Sequence, residues 1–176
     1  MFEKIKYNLA HFILRKKYLT KKKEQILFKN VITNSNTFFV IMPSDNKEFD
    51  KSLAVIDYLL ANQKVISVFL HQNQEILLNE NGIFALIKYD DESKNRINLP
   101  IRSFINLLNS KHYDVVINLN RGREVFLNSV ANIVKSKIRV GFENEKTEDY
   151  YDIQIANSST GPEEIYQYYI NLLKMF

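Results

Sequence analysis

The sequence predicts an α/β fold: a single Rossmann-like domain with a mostly parallel, doubly wound sheet, preceded by a basic amphipathic N-terminal helix. Three observations carry that prediction. Runs such as Val115-Val116-Ile117 are β-branched and apolar without alternation, which suits strands covered on both faces. They alternate with segments whose apolar residues recur at helical spacing, the pattern of parallel strands joined by right-handed crossovers. At 176 residues, 45% hydrophobic and 25% charged, the chain suits one domain with a real core.

The elements follow in order. Phe2, Ile5, Leu9, Phe12 and Ile13 fall at helical spacing among Lys4, Lys6, Arg15, Lys16 and Lys17, and Lys21, Lys22 and Lys23 extend the charge. This stripe either packs on its own domain or serves residues 1–30 as a docking arm for an anionic surface, RNA or a partner groove. Thr37–Met42 is the first strand, stopped by Pro43. Asp50 or Ser52 can cap a helix through Asn62 whose stripe includes Leu53, Ile56, Leu59 and Leu60. Lys64–Leu70 is the second strand, and a short helix over Glu75–Asn81 closes at Asn81-Gly82 before the third strand, Ile83–Tyr89.

Pro100 suits a first helical turn, with Ile101, Phe104, Ile105 and Leu108 as the stripe of a helix ending near Ser110. Tyr113–Leu119 is the fourth strand, Glu124–Lys135 its helix and Ile138–Phe142 the fifth strand, with Gly141 where the strand gives way to a polar loop. Asp152–Ala156 reads as a short sixth strand. Gly161-Pro162 opens a final helix, with Ile165, Tyr168, Tyr169 and Leu172 inward. The domain proper therefore spans 37–176.

Composition removes several function classes. Without cysteine there is no disulfide, thiolate nucleophile or cysteine zinc site, and a cytoplasmic setting is expected. His11, His71 and His112 are scattered, expected at exposed or strand-end positions, and share no metal-ligand spacing. Neither GxGxxG nor a P-loop follows the first strand, so no cofactor is expected. No apolar run is long enough to span a membrane, and the first residues lack the pattern of a secretory signal. Residues 1–30 hold nine Lys or Arg against two Glu, net +7, while the other 146 residues are net −3. The basic character is local, which argues against a nucleic-acid-binding body.

With strand order 3-2-1-4-5, the order reverses between the first and fourth strands, where ligands of such sheets bind. Ser44, Asp45 and Asn46 then meet Asn118, Asn120, Arg121, Gly122 and Arg123. Asn120, Arg121, Gly122 and Arg123 are candidates for an anion site beside the next helix's amino end; equally, the arginines can pair with Asp45, Glu48 or Asp50. A general base would have to be Asp45, Glu48 or Asp50, although Asp45 and Asp50 are weak candidates because such carboxylates usually cap helices. Asp90, Asp91 and Glu92 read as solvated.

YDVVINLN at Tyr113–Asn120 and IRVGF at Ile138–Phe142 resemble the "YDLVIDLQ" and "RIGF" segments of the amino-terminal domain of glycosyltransferase family nine, the heptosyltransferases. EEIYQYYINLL is similar to the helix that closes that half. The resemblance, loosely from Thr37 to Phe176, implies the acceptor half of a GT-B glycosyltransferase. The family's Gly-Asp pair after the first strand is PSDNKEFD here, its fourth-strand aspartate is Asn118, and its donor-binding second domain is not matched. Short uncharacterised Bacteroidetes-type proteins with a basic amino-terminal helix are also similar. The expectation is a non-catalytic glycosyltransferase-like binding or scaffold domain docking through its basic helix, peripheral at the inner membrane surface. The alternatives are the acceptor-side subunit of a split heptosyltransferase-like enzyme, partnered by a second GT-B half, and an RNA- or ribosome-associated protein.

Overall fold

The computed structural model describes residues 2–19, 30–78, 84–157 and 161–176. Its strands are β1 (Thr37–Ile41), β2 (Val65–His71), β3 (Ala85–Tyr89), β4 (His112–Asn118), β5 (Lys135–Phe142) and β6 (Ile153–Ile155). Its α-helices are α1 (Phe2–Tyr18), α2 (Asn46–Ala61), α3 (Arg102–Leu108), α4 (Val125–Ile133) and α5 (Pro162–Met175). The strands form one all-parallel sheet in the order β3-β2-β1-β4-β5-β6. This is a Rossmann-like α/β fold, and the predicted reversal lies between β1 and β4.

Alternation along the strands divides the core. Phe38 and Val40 of β1, with Val68 of β2 and Val115 and Ile117 of β4, pack under α2 and α5. Phe39, Ile41, Phe69 and Val116 face the other way, toward α4, the aromatic side chains of Tyr150 and Tyr151, and Phe104 of α3. All nine residues of α4 are buried. A helix apolar on every side needs cover on both. The sheet covers one side, and α1 lies over α4 as a further layer, with Leu14 fully buried and Ala10 packed against Leu99 and Val125.

That packing decides the side of the α1 stripe, which its spacing left open between the domain and a docking surface. Ile5, Leu9 and Phe12 are exposed, whereas Tyr7, Ala10, His11 and Leu14 turn inward. Hydropathy ranks His and Tyr low, yet Ala10 allows close helix approach and the rings fill the space beside it. Phe2's side chain, Lys21, Lys22 and Lys23 lie outside the described residues. His11 is a correction: it is 3% exposed, not a surface residue. His71 caps a 3-10 turn, and His112 opens β4 on the surface.

Other boundaries move for local reasons. α2 begins at Asn46 because Asp45 is its cap, accepting from the Lys47 and Glu48 backbone N–H groups at 3.0 Å each. Asp50 is therefore an exposed residue inside the helix, and buried Ser52 donates to the Phe49 carbonyl. Pro100 is buried and bridges Lys94, so α3 starts two residues later. The short helix is a 3-10 segment over Gln72–Leu77; its predicted closure at Asn81-Gly82 and the predicted strand start at Ile83 lie outside the described residues. α4 ends at Ile133 because β5 already pairs with β4 at Lys135. Gly141 is the penultimate residue of β5 and still pairs there with Gln154 of β6. The ring of Tyr151 crosses it so closely that an added Cβ would lie 2.5 Å from ring carbons.

Candidate functional site

The β1–β4 reversal brings together the loops named from the sequence. Arg121 Nη1 meets Glu48 Oε1 at 3.0 Å, its Nε donates to Asn157 Oδ1 at 3.1 Å, and Asn157 Nδ2 donates back to the Arg121 carbonyl. Asn120 is buried, its N–H donating to Asn118 Oδ1 at 3.0 Å and its Nδ2 to the Gly122 carbonyl at 3.3 Å. Gly122 has no positive φ and closes this turn. The Ser44 hydroxyl donates to Glu124, joining the β1 and β4 loops. Asp45 is occupied as the α2 cap. Each carboxylate near the reversal thus has an internal partner, and Arg121 is held as a crosslink between α2, β4 and the segment after β6.

Arg123 is more open. It pairs with Glu145 at 2.9 Å, both side chains mostly exposed, and lines a cleft of about 570 Å³ under the first turns of α1, with Lys4, Tyr7, Asn8 and Lys146. Asp50 instead lines a wide groove between α2 and α5, with Asp57, Glu163 and Glu164. Asp90 is bonded within its own turn, accepting from the Ser93 N–H and hydroxyl. Among the described residues no three His, Asp or Glu side chains gather for a metal, and no helix is long and apolar enough to cross a membrane.

Behind the reversal lies a buried polar cluster. Asn118, fully buried at the end of β4, donates through Nδ2 to the Tyr151 hydroxyl at 2.7 Å and to Asn128 Oδ1 at 3.2 Å. Tyr151 in turn donates to Asn128 Oδ1 at 2.7 Å, and burial pushes its phenol well above the usual range. An amide suits this place because it both donates and accepts; a carboxylate could make neither of the Nδ2 contacts.

The remaining YDVVINLN residues serve the sheet. Asp114 Oδ2 accepts from the Asn36 and Thr37 N–H groups and from the Thr37 hydroxyl, each at 3.0 Å, at the amino end of the sheet. Lys137 donates to its other oxygen at 2.7 Å, and this bond, followed by those from Thr37 and Asn36, holds the carboxyl well below its ordinary range. Tyr113 donates to Ser67 at 3.1 Å and sets its ring edge-on to Phe39.

The second candidate surface is α1. Its inner side is fastened by more than apolar contact. His11 Nδ1 and the Tyr150 hydroxyl share a hydrogen bond of 2.5 Å, Arg15 donates to the Lys146 carbonyl at 3.2 Å, and Lys146 Nζ bonds Asn8 and lies 5.4 Å from the Tyr7 ring centre. Lys146 has a left-handed backbone, φ 68°, which turns the β5–β6 loop toward the helix. Burial, then Lys146, then Arg15, pushes His11 down to about 4. The outer side carries Ile5, Leu9 and Phe12, 57%, 46% and 62% exposed, beside exposed Lys4, Lys16 and Lys17. Sequence periodicity finds this stripe but assigns it no side. The His11–Tyr150 pair has no local signal, since its members are 139 residues apart.

The fold and these sites define the class: a Rossmann-like α/β domain with an internally bonded carboxyl edge and an outer helix presenting apolar and cationic side chains. No protein-family model, curated protein or solved structure matches the chain.

Proposed function

We propose that this chain is a non-catalytic binding domain, built like the acceptor half of a GT-B glycosyltransferase, that docks on an anionic partner through α1. The observation that carries the reading is the division of α1 into two faces. One is fastened to α4 and the β5–β6 loop, and the other presents Ile5, Leu9, Phe12 and Lys16, with exposed Lys4 and Lys17 at its margins. Such a helix is held ready to dock without ordering cost. The non-catalytic part is supported by the partners of Asp45, Glu48 and Glu124, each of which has one carboxylate oxygen bonded within the fold, although the second Glu48 oxygen is buried without a hydrogen-bond partner among the described residues.

Deleting residues 1–30 would be a poor test, because it strips Ala10, His11 and Leu14 from the core. A cleaner variant is Lys4→Gln/Lys16→Gln/Lys17→Gln, which leaves the buried Ala10, His11 and Leu14 in place. Retention of the full chain on an immobilised polyanion should fall for this variant and with rising salt. Equal retention of variant and parent across a salt gradient would remove α1 as the docking element.

A further inference from the structure

We infer that the partner of this face is an anionic lipid bilayer, with Ile5, Leu9 and Phe12 seated below the headgroups and Lys4, Lys16 and Lys17 among them; this rests on the docking reading above. Spacings of four and three residues put the three apolar side chains on one strip of a helix about 25 Å long. Lys16 falls on the same strip at its end, while Lys4 and Lys17 are exposed farther round the helix, at the two margins where it meets the domain. Long lysine stems reach past buried apolar groups to place their ammonium groups at phosphate level. Glu3 is the one carboxylate of α1, and it is paired with Lys6 at 2.9 Å.

Charge across the molecule favours the same orientation. The groove along α2 and α5, on the side of the sheet opposite α4 and α1, holds Asp50, Asp57, Glu163 and Glu164 against Lys51, which pairs with Asp50 and Glu163. A negatively charged plane attracts the α1 side and repels the other, so the molecule presents α1 first. An RNA partner would use the cations and leave three aliphatic and aromatic side chains in water. A bilayer takes both sets, the apolar strip below the headgroups and the lysine ammonium groups among them.

The chain contains no Trp, so Phe12→Trp introduces a single indole reporter. With vesicles of phosphatidylcholine plus phosphatidylglycerol, the full-length variant should show a blue-shifted emission that brominated lipid quenches, and both should weaken as salt rises. Phosphatidylcholine vesicles alone should bind at least tenfold more weakly. Ile5→Ser/Leu9→Ser/Phe12→Ser should cosediment with anionic vesicles at least tenfold more weakly than the parent while melting at the same temperature. An unshifted Trp emission, or a serine variant that cosediments like the parent, overturns the bilayer assignment. Salt-sensitive binding to heparin or RNA without vesicle binding would overturn it while the docking reading stands. Failure to bind vesicles, heparin and RNA alike would remove both.

Discussion

Arg121 reaches across the carboxyl edge to Glu48 at 3.0 Å, and the two side chains are only 17% and 22% exposed. The pair joins the α2 entry to the turn after β4, residues 73 apart in sequence. Its energetic weight lies in what breaking it would leave behind, a mostly buried guanidinium that has lost its carboxylate. Glu48→Ala should therefore cost about 1–3 kcal/mol, less than a fully buried pair because solvent still screens it. Inorganic phosphate should raise the melting temperature of Glu48→Ala more than that of the parent. Equal shifts would show that Arg121 attracts no anion even when released.

His11 makes stability depend on pH in a definite direction. Its ring is held down to about 4 by burial and by Lys146 and Arg15, against about 6.5 in the unfolded chain. Between those values the unfolded chain binds a proton that the fold excludes. This contribution is complete above about pH 6.5, falls as pH drops through the window and levels off below about 4, a loss on the order of 3 kcal/mol. His11→Gln keeps an acceptor for Tyr150 but does not titrate. Urea unfolding of parent and variant should therefore converge as pH is lowered from 7 to 4.5; parallel curves would contradict the assignment.

Gly141 has no room for a side chain beneath Tyr151. Gly141→Ala should cost about 1–3 kcal/mol by overpacking. Adding Tyr151→Leu should recover part of that loss, a sign of direct contact that a thermal melt of both variants would read. Tyr151→Phe alone keeps the ring but strands Asn118 and Asn128, at about 1–3 kcal/mol.

Asp114 is the amino-edge counterpart. Its carboxyl is held low chiefly by Lys137, then by Thr37 and Asn36, so its contribution is present above about pH 4 and lost as pH falls further. Asp114→Asn should lower stability at neutral pH by about 1–2 kcal/mol and flatten the acid limb of the unfolding profile. Hydrogen exchange should quicken at Asn36 and Thr37, whose N–H groups it accepts.

The two faces of α1 should separate by stability. Leu14→Ala opens a cavity above α4 and should cost about 2–4 kcal/mol, whereas Ile5→Ser, Leu9→Ser and Phe12→Ser should each stay within about 0.5 kcal/mol. Urea titration checks both. A large loss from Phe12→Ser would mean that the outer stripe is structural cover.

Strand runs, helix spacing and turn residues are local properties, and they were enough to place the strands and helices along the chain; the meeting of loops at the β1–β4 reversal followed only on the condition of a 3-2-1-4-5 order, which the structure has and extends with β6. They also marked Arg121 and Arg123 with two fates each, anion or carboxylate. Choosing between those fates needed a position 73 residues away, and only the tertiary structure supplies Glu48 as the partner of Arg121. The same holds for α1. Its sequence has two usable faces, and the spacing of Ile5, Leu9 and Phe12 left open whether that stripe packs or docks; α4 presents a surface that takes Ala10, His11 and Leu14 instead. Periodicity reports which residues share a face; which face is buried depends on the shape and polarity of whatever the fold sets against it.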